Sequence, residues 1–329
     1  MTMFKGRNVL VAGGAGFTGA NLVQRLVSLG ANVRATLYKK NAIIQDKRIE
    51  YIRCDLRQME DCTKVVKDME YVFMCAANTS GAAVIKANPL AHVTPNLVMN
   101  AQMLEAAYFA KVKKFSFMSS SVVYPPSGSH PCKEDEMMNG DPADIYFLAA
   151  WMKRYTEISC RYFSQKINNP IGTAVIRPAN IYGPHDNYDL ATSHVMSAMI
   201  RKVVERQNPI QVWGTGEDVR DWIYVEDLID GFLLATEKLN TYDPVNIALG
   251  KGYTIMQMLQ ILLELEDYRD AKIICDPSKP SMIPIRLFDT TKAEKLLGFK
   301  AKHDLREGLK KTIAWYKATH SVPAKSAAA

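Results

Sequence analysis

Three glycines, Gly13, Gly16 and Gly19, follow the apolar run Val9-Leu10-Val11-Ala12 and precede an amphipathic stretch, Asn21 to Leu29. A buried strand that turns sharply into a helix has this pattern. One glycine allows the turn, one allows backbone N–H groups to approach a pyrophosphate, and one lets helix and strand lie close. The positive end of the helix then faces the phosphates. Gly13, Gly16, Phe17 and Thr18 are therefore the first candidate cofactor contacts. Two further residues have the chemistry of proton transfer. Ser120 follows the apolar Phe115-Ser116-Phe117-Met118, and Tyr146 opens a helical stretch after Asp141-Pro142-Ala143-Asp144. A tyrosine and a serine on one oxygen of a sugar or alcohol would exchange and share its proton. Each also has an ordinary use, since tyrosines at helix starts pack and serines at strand ends cap turns.

The elements that must position these residues alternate. Asn32 to Leu37 reads as a second strand, Ile49 to Cys54 as a third and Tyr71 to Cys75 as a fourth. A helix from about Pro95 to Ala110 carries Leu97, Leu104 and Ala107 on one face, and Phe115 to Met118 makes a fifth strand. This rhythm predicts an α/β fold with a doubly wound parallel sheet, which binds ligands at the carboxyl ends of its strands. Asp55, Leu56, Ala76, Ala77 and Ser120 fall at those ends. In dinucleotide folds an acidic residue after the second strand binds the ribose 2′-hydroxyl. Here Leu37, Tyr38, Lys39 and Lys40 stand there without a carboxylate, which leans from NAD towards NADP, with Lys39, Lys40 or Arg34 on the 2′-phosphate.

Composition excludes several alternatives. The 329 residues are 48% hydrophobic and 23% charged, as in an ordinary soluble protein. No apolar run approaches the roughly 18 residues of a membrane span, and no signal-peptide core opens the chain. The six cysteines form no C-x-x-C pair, so they read as reduced thiols in a cytoplasmic protein. A net charge of +7 is modest and its lysines are scattered, without the basic stripe of a nucleic-acid binder. A phosphate-bearing small molecule accounts for the positive balance.

Longer motifs carry a resemblance over nearly the whole chain. They are Gly13-Gly14-Ala15-Gly16-Phe17-Thr18-Gly19, Cys54-Asp55-Leu56, Ser119-Ser120-Ser121-Val122-Val123-Tyr124-Pro125 and Arg177-Pro178-Ala179-Asn180-Ile181-Tyr182-Gly183-Pro184. Arg220-Asp221-Trp222-Ile223-Tyr224-Val225-Glu226-Asp227 and Leu297-Gly298-Phe299 continue it. With these the chain resembles the extended short-chain dehydrogenases/reductases that act on nucleotide sugars. The stretches Tyr182 to Asn187, Ser193-His194-Val195, Val212 to Gly216 and Asp276 to Pro280 are most similar to its GDP-L-fucose synthase branch. The resemblance implies a Rossmann domain over 1–180 plus about 217–250. It also implies a smaller C-terminal α/β substrate lobe over 181–216 and 251–320, a tail over 321–329, and a homodimer. It implies hydride transfer between the sugar C4 and a nicotinamide, with Tyr146 moving the oxygen's proton, Ser120 polarising it and Pro178 near the cofactor.

Substrate contacts follow from the same likeness. Ser121, Asn180 and His194 would touch the sugar. Trp213 would stack on the base, and Arg220 and Arg286 would neutralise the diphosphate, with Lys202 near the face of His194. The small residues from Thr79 to Ala87 would cover the sugar. Two positions depart from the pattern. Val122 stands where the branch has a proton-exchanging cysteine, although His194 matches its histidine. The family's tyrosine is followed four residues on by a lysine, and counted from Tyr146 that position is Ala150. Lys153, about 10 Å along a helix from Tyr146, is not expected to substitute, so the resemblance implies a redox step that lacks the family's lysine.

Overall fold

The computed structural model describes residues 3–78, 88–279 and 283–320. The first six strands are β1 (Asn8–Ala12), β2 (Asn32–Leu37), β3 (Ile49–Arg53), β4 (Tyr71–Met74), β5 (Lys114–Met118) and β6 (Gly172–Pro178). Then β7 (Asn180–Tyr182), β8 (Ile210–Trp213) and β9 (Val219–Tyr224) leave that sheet, and β10 (Val245–Ile247) returns to it. The sheet is parallel throughout, in the order β10-β6-β5-β4-β1-β2-β3. Its order reverses between β1 and β4, which opens a crevice beyond their carboxyl ends. Residues Val9–Ala12 and all of β4 and β5 are buried, as expected of central strands covered on both faces.

Helices supply the covers. They are α1 (Phe17–Ser28), α2 (Met59–Val66), α3 (Thr94–Phe109), α4 (Phe147–Gln165), α5 (Val195–Val204), α6 (Val225–Lys238), α7 (Ile255–Leu265) and α8 (Leu305–Thr319). In α1 the residues Leu22, Val23, Leu26 and Val27 are buried, a spacing that keeps one stripe of the helix on the sheet. From α6, Phe232 sets its ring edge-on to Phe73 of β4, with centroids 5.1 Å apart.

The smaller lobe holds two short sheets. In one, β9 pairs with β7, β11 (Gly252–Thr254) and β13 (Ile285–Arg286); in the other, β8 pairs with β12 (Ile273–Asp276). Thus 219–224 lies in the smaller lobe, and the chain returns to the large sheet at Val225 rather than near 217. The apolar core runs from one lobe into the other without a break. All six cysteines are free thiols. Among the described residues no helix is long and apolar enough to cross a membrane.

Candidate active site

The glycine turn is built by close contacts. A Cβ on Gly13 would meet the Ala76 backbone at 2.7 Å, and one on Gly19 would meet the Gly13 carbonyl at 2.1 Å. Strand β4 and the first turn of α1 therefore pack directly against the loop. Gly16 differs, because a Cβ there meets only the Gly13 carbonyl at 3.3 Å, and the residue is extended, with φ −85°. The fit around Gly16 is therefore looser than around Gly13 and Gly19. Gly16 caps α1 without a side-chain hydrogen bond, and the first turn carries no acidic residue. The free N–H groups and the positive end of the dipole stay available to a phosphate. These residues fit the pyrophosphate of a dinucleotide.

One cleft of about 1360 Å³ runs from this turn along the carboxyl ends of β1, β4, β5 and β6 into the smaller lobe. It exceeds the roughly 300–1,000 Å³ of a single small-molecule site, and has room for a dinucleotide beside a second nucleotide. Gly16, Phe17, Thr18, Ala76, Ala77, Ser120, Ser121, Tyr146, Pro178, Asn180, His194, Arg220 and Arg286 all line it. Val122, in place of the cysteine, lines it too.

Other candidates lie elsewhere. Gly13 supports the turn from below. Lys39 is exposed beside the Tyr38 ring, while its neighbour Lys40 lines the cleft with Asn41. Arg34 is spent on Glu50 and the carbonyls of Val65 and Lys67. Asp55 pairs with Arg57, whose hydrogen bonds hold its carboxyl below the usual value, and Leu56 is buried in the core. Lys202 donates to the Gln211 carbonyl at 2.7 Å, and Trp213 is 49% exposed with the Lys279 ammonium 5.8 Å from its ring. Neither Lys202 nor Trp213 reaches the cleft wall. Thr79 to Ala87 lie outside the described residues.

Within the cleft, Ser120 caps the short turn Ser121–Val123, its Oγ accepting from the Val122 N–H at 3.3 Å. Tyr146 ends a 3-10 turn and caps α4 with non-helical backbone angles. Burial raises its phenol above the usual value, against the pull of Arg220 and Arg286. Arg220 is fixed by Asp218 and the carbonyls of Val219 and Pro284. Arg286 donates to the carbonyls of Pro125 and Tyr124 and to the Cys132 sulfur, while its buried Nε finds no partner among the described residues. His194 is exposed at the start of α5, facing Asp186, whose carboxyl burial raises.

Residue 150 is not at the cleft. Ala150 is fully buried, and Ala149 and Lys153 line the wall instead. The Lys153 Nζ donates to the Met118 carbonyl at 3.0 Å and lies 4.7 Å from the Phe117 ring centroid. Burial lowers it to about 8, against the opposing influence of Glu157 and Cys75. The sequence reading set Lys153 aside because helical turns were counted from Tyr146, which lies before the helix. The spacing Lys153-x-x-x-Glu157, a charge pair one turn apart on a mostly apolar helix, was the available signal.

Against known proteins, the model of the NAD dependent epimerase/dehydratase family matches residues 9–248. The chain belongs to that family. It is 28% identical over 321 residues to a probable GDP-L-fucose synthase 1 of Oryza sativa subsp. japonica, covering 95% of this chain and 92% of that one. It is 30% identical over 315 residues to GDP-mannose 3,5-epimerase 1 of Oryza sativa subsp. indica, covering 94% and 81%. The solved UDP-glucose 4-epimerase of Thermotoga maritima, with UDP-glucose, superposes with a TM-score of 0.86 at 28% identity, covering 95% and 99%. This epimerase/dehydratase family member is thus one of the nucleotide-sugar epimerases and reductases.

Proposed function

We propose that the protein is an NAD(P)-dependent enzyme acting by 4-keto chemistry on a GDP-hexose. The observation that carries this reading is a single cleft joining the open glycine turn to Ser120, Tyr146, Arg220 and Arg286. The nicotinamide, when bound, supplies the hydride acceptor or donor. Ser120 would hold the sugar oxygen, and the two arginines would take the diphosphate. Val122 cannot carry a proton, so it takes no part in any exchange at C3 or C5, and the redox step at C4 is the reaction proposed. The absence of a carboxylate after β2, with Lys40 in the cleft, favours NADP over NAD. A cytoplasmic homodimer is the proposed form.

The GDP reading draws on the fucose-synthase and mannose-epimerase relatives. A UDP-sugar 4-epimerase or reductase is the second reading, favoured by the likeness to the UDP-glucose enzyme. Thermal shift with GDP and UDP, followed by turnover of GDP-, UDP-, CDP- and dTDP-sugars with cofactor redox monitored, separates them. A ligand at a hundredfold excess over its Kd stabilises by about 2.7 kcal/mol, and Arg220→Ala should lose most of that gain. Greater stabilisation and turnover with UDP-sugars would move the assignment to the second reading. Binding of both cofactor and sugar without turnover would leave a silent binding protein.

A further inference from the structure

The cleft face of α4 is uneven. Ala149 and Lys153, one helical turn apart, both line the cleft, while Ala150, Arg154, Glu157 and Cys160 turn into the core. Residue 149 brings only a methyl group to the cleft wall one turn before the lysine. The Lys153 amine is held at the Met118 carbonyl, the last residue of β5 and two residues before Ser120. An ammonium has three donors, and only the one to Met118 finds an acceptor among the described residues. Tyr146 sits a turn earlier, outside regular helix, towards Arg220 and Arg286.

We propose that Lys153, rather than Tyr146, exchanges the proton of the substrate's reacting oxygen, at the cleft wall that it shares with Ala149. The proposal rests on the nucleotide-sugar reading above. In the oxidising direction the neutral Lys153 amine accepts the C4 hydroxyl proton and becomes an ammonium. The C4–H bond breaks with its electron pair, which leaves as hydride to the nicotinamide, and the C4–O bond becomes a carbonyl. Reduction runs the same transfers backwards. Ser120 holds the oxygen throughout, and Tyr146 serves the diphosphate side with the two arginines.

Electrostatics agrees with this division. A group that exchanges protons works best near the ambient pH. Burial brings the Lys153 amine down to about 8, whereas it drives the Tyr146 phenol upwards. The titratable groups set against Lys153 are Cys75, from the end of β4, and Glu157, on its own helix. Burial raises the Cys75 thiol to about 12, so it stays protonated and the local field hardly changes across neutral pH.

Lys153→Arg separates proton exchange from mere positive charge. General acid–base catalysis contributes about 10²–10⁴-fold, so Lys153→Arg should lose at least about 100-fold in kcat while calorimetry still shows cofactor binding. The parent's rate in the oxidising direction should rise with pH through a midpoint near 8. Tyr146→Phe should mainly raise KM and keep that midpoint. Trace acetylation of the unliganded protein across pH, read by peptide mass spectrometry, should place the Lys153 midpoint near 8. That measurement needs no substrate, so a wrong sugar class leaves it standing. Retained kcat and midpoint in Lys153→Arg would overturn the proposal, as would loss of the midpoint in Tyr146→Phe. So would a Lys153 acetylation midpoint at the ordinary lysine value of about 10.4.

Discussion

Gly16 and Gly19 share a motif and differ in what they serve. A Cβ on Gly19 would penetrate the Gly13 carbonyl, while one on Gly16 meets a single atom at 3.3 Å. Gly16→Val should therefore cost less stability than a substitution at Gly19 and lose cofactor binding in calorimetry. Gly19→Ala should lose stability even without ligand. Equal cofactor affinity in Gly16→Val would show that the pyrophosphate does not sit over this turn. Lys153 allows a second test at this scale. Its folded-state value of about 8 lies below the unfolded one, so between the two the unfolded chain binds more protons and stability rises with pH. The cost of holding the charge is full below about pH 8 and fades towards the unfolded value, near 10.4. Lys153→Met should accordingly be more stable than the parent at neutral pH, with the advantage shrinking as pH rises. A constant difference from pH 6 to 10 would mean that the amine is not depressed. Gly16, Ser120 and Arg220, which line the cleft, were legible because each lies in a long motif, whereas Arg286 lies in none of them. Lys153 was not legible, since its position depends on where α4 begins.

That starting point is a property of the element. Tyr146 closes a 3-10 turn, so regular helix begins at Phe147 and the cleft face carries 149, 152 and 153. The inward face is fixed by a buried network. Arg177 of β6 donates to Glu157 from Nε, at 3.0 and 3.2 Å, and from Nη2 at 2.7 Å, and to the Tyr124 hydroxyl at 3.0 Å. Ser119 and Tyr242 also donate to Glu157. This clamps α4 to β5 and β6 directly behind Ser120 and Lys153. Removing one partner of a buried ion pair costs about 3–5 kcal/mol, because the other charge is left unpaired. Glu157→Ala should fall in that range by urea unfolding, and should also blur the pH profile by loosening Lys153. A loss below about 1 kcal/mol, the level of a surface pair, would show that water reaches Arg177. Short, nearly continuous apolar runs made the first five strands readable to within a residue or two. The sequence pattern holds no comparable signal for a 3-10 entry or for which faces of α4 meet the cleft and the core.

At the scale of the whole molecule, the doubly wound sheet and the second lobe follow from the order of strands and helices. Their division does not, since β9 joins the smaller sheet while α6, immediately after it, packs on the large one. The outer face of α4 has an excess that one chain does not use. Leu148, Tyr155, Ile158 and Tyr162 are 46%, 56%, 46% and 51% exposed, and they recur at spacings of three, four and seven residues. Such spacing lays them along one stripe. Phe109, at the end of neighbouring α3, is 70% exposed and joins it through the ring contacts Tyr108–Phe109, Tyr108–Phe163 and Tyr162–Phe163. A contiguous apolar stripe of this kind marks an interaction surface. Two copies that pair α3 and α4 across a twofold axis would cover it, because a self-complementary patch meets itself in a closed dimer. The cleft lies at the strand ends, so both active sites would stay open. Light scattering on the parent should give twice the chain mass. Tyr155→Glu with Ile158→Asp should give a single chain, because each buried carboxylate would lack a partner. Those two residues are exposed in one copy, so the double variant should still fold and bind cofactor. A parent that runs as a monomer at micromolar concentration would leave the stripe to some other partner.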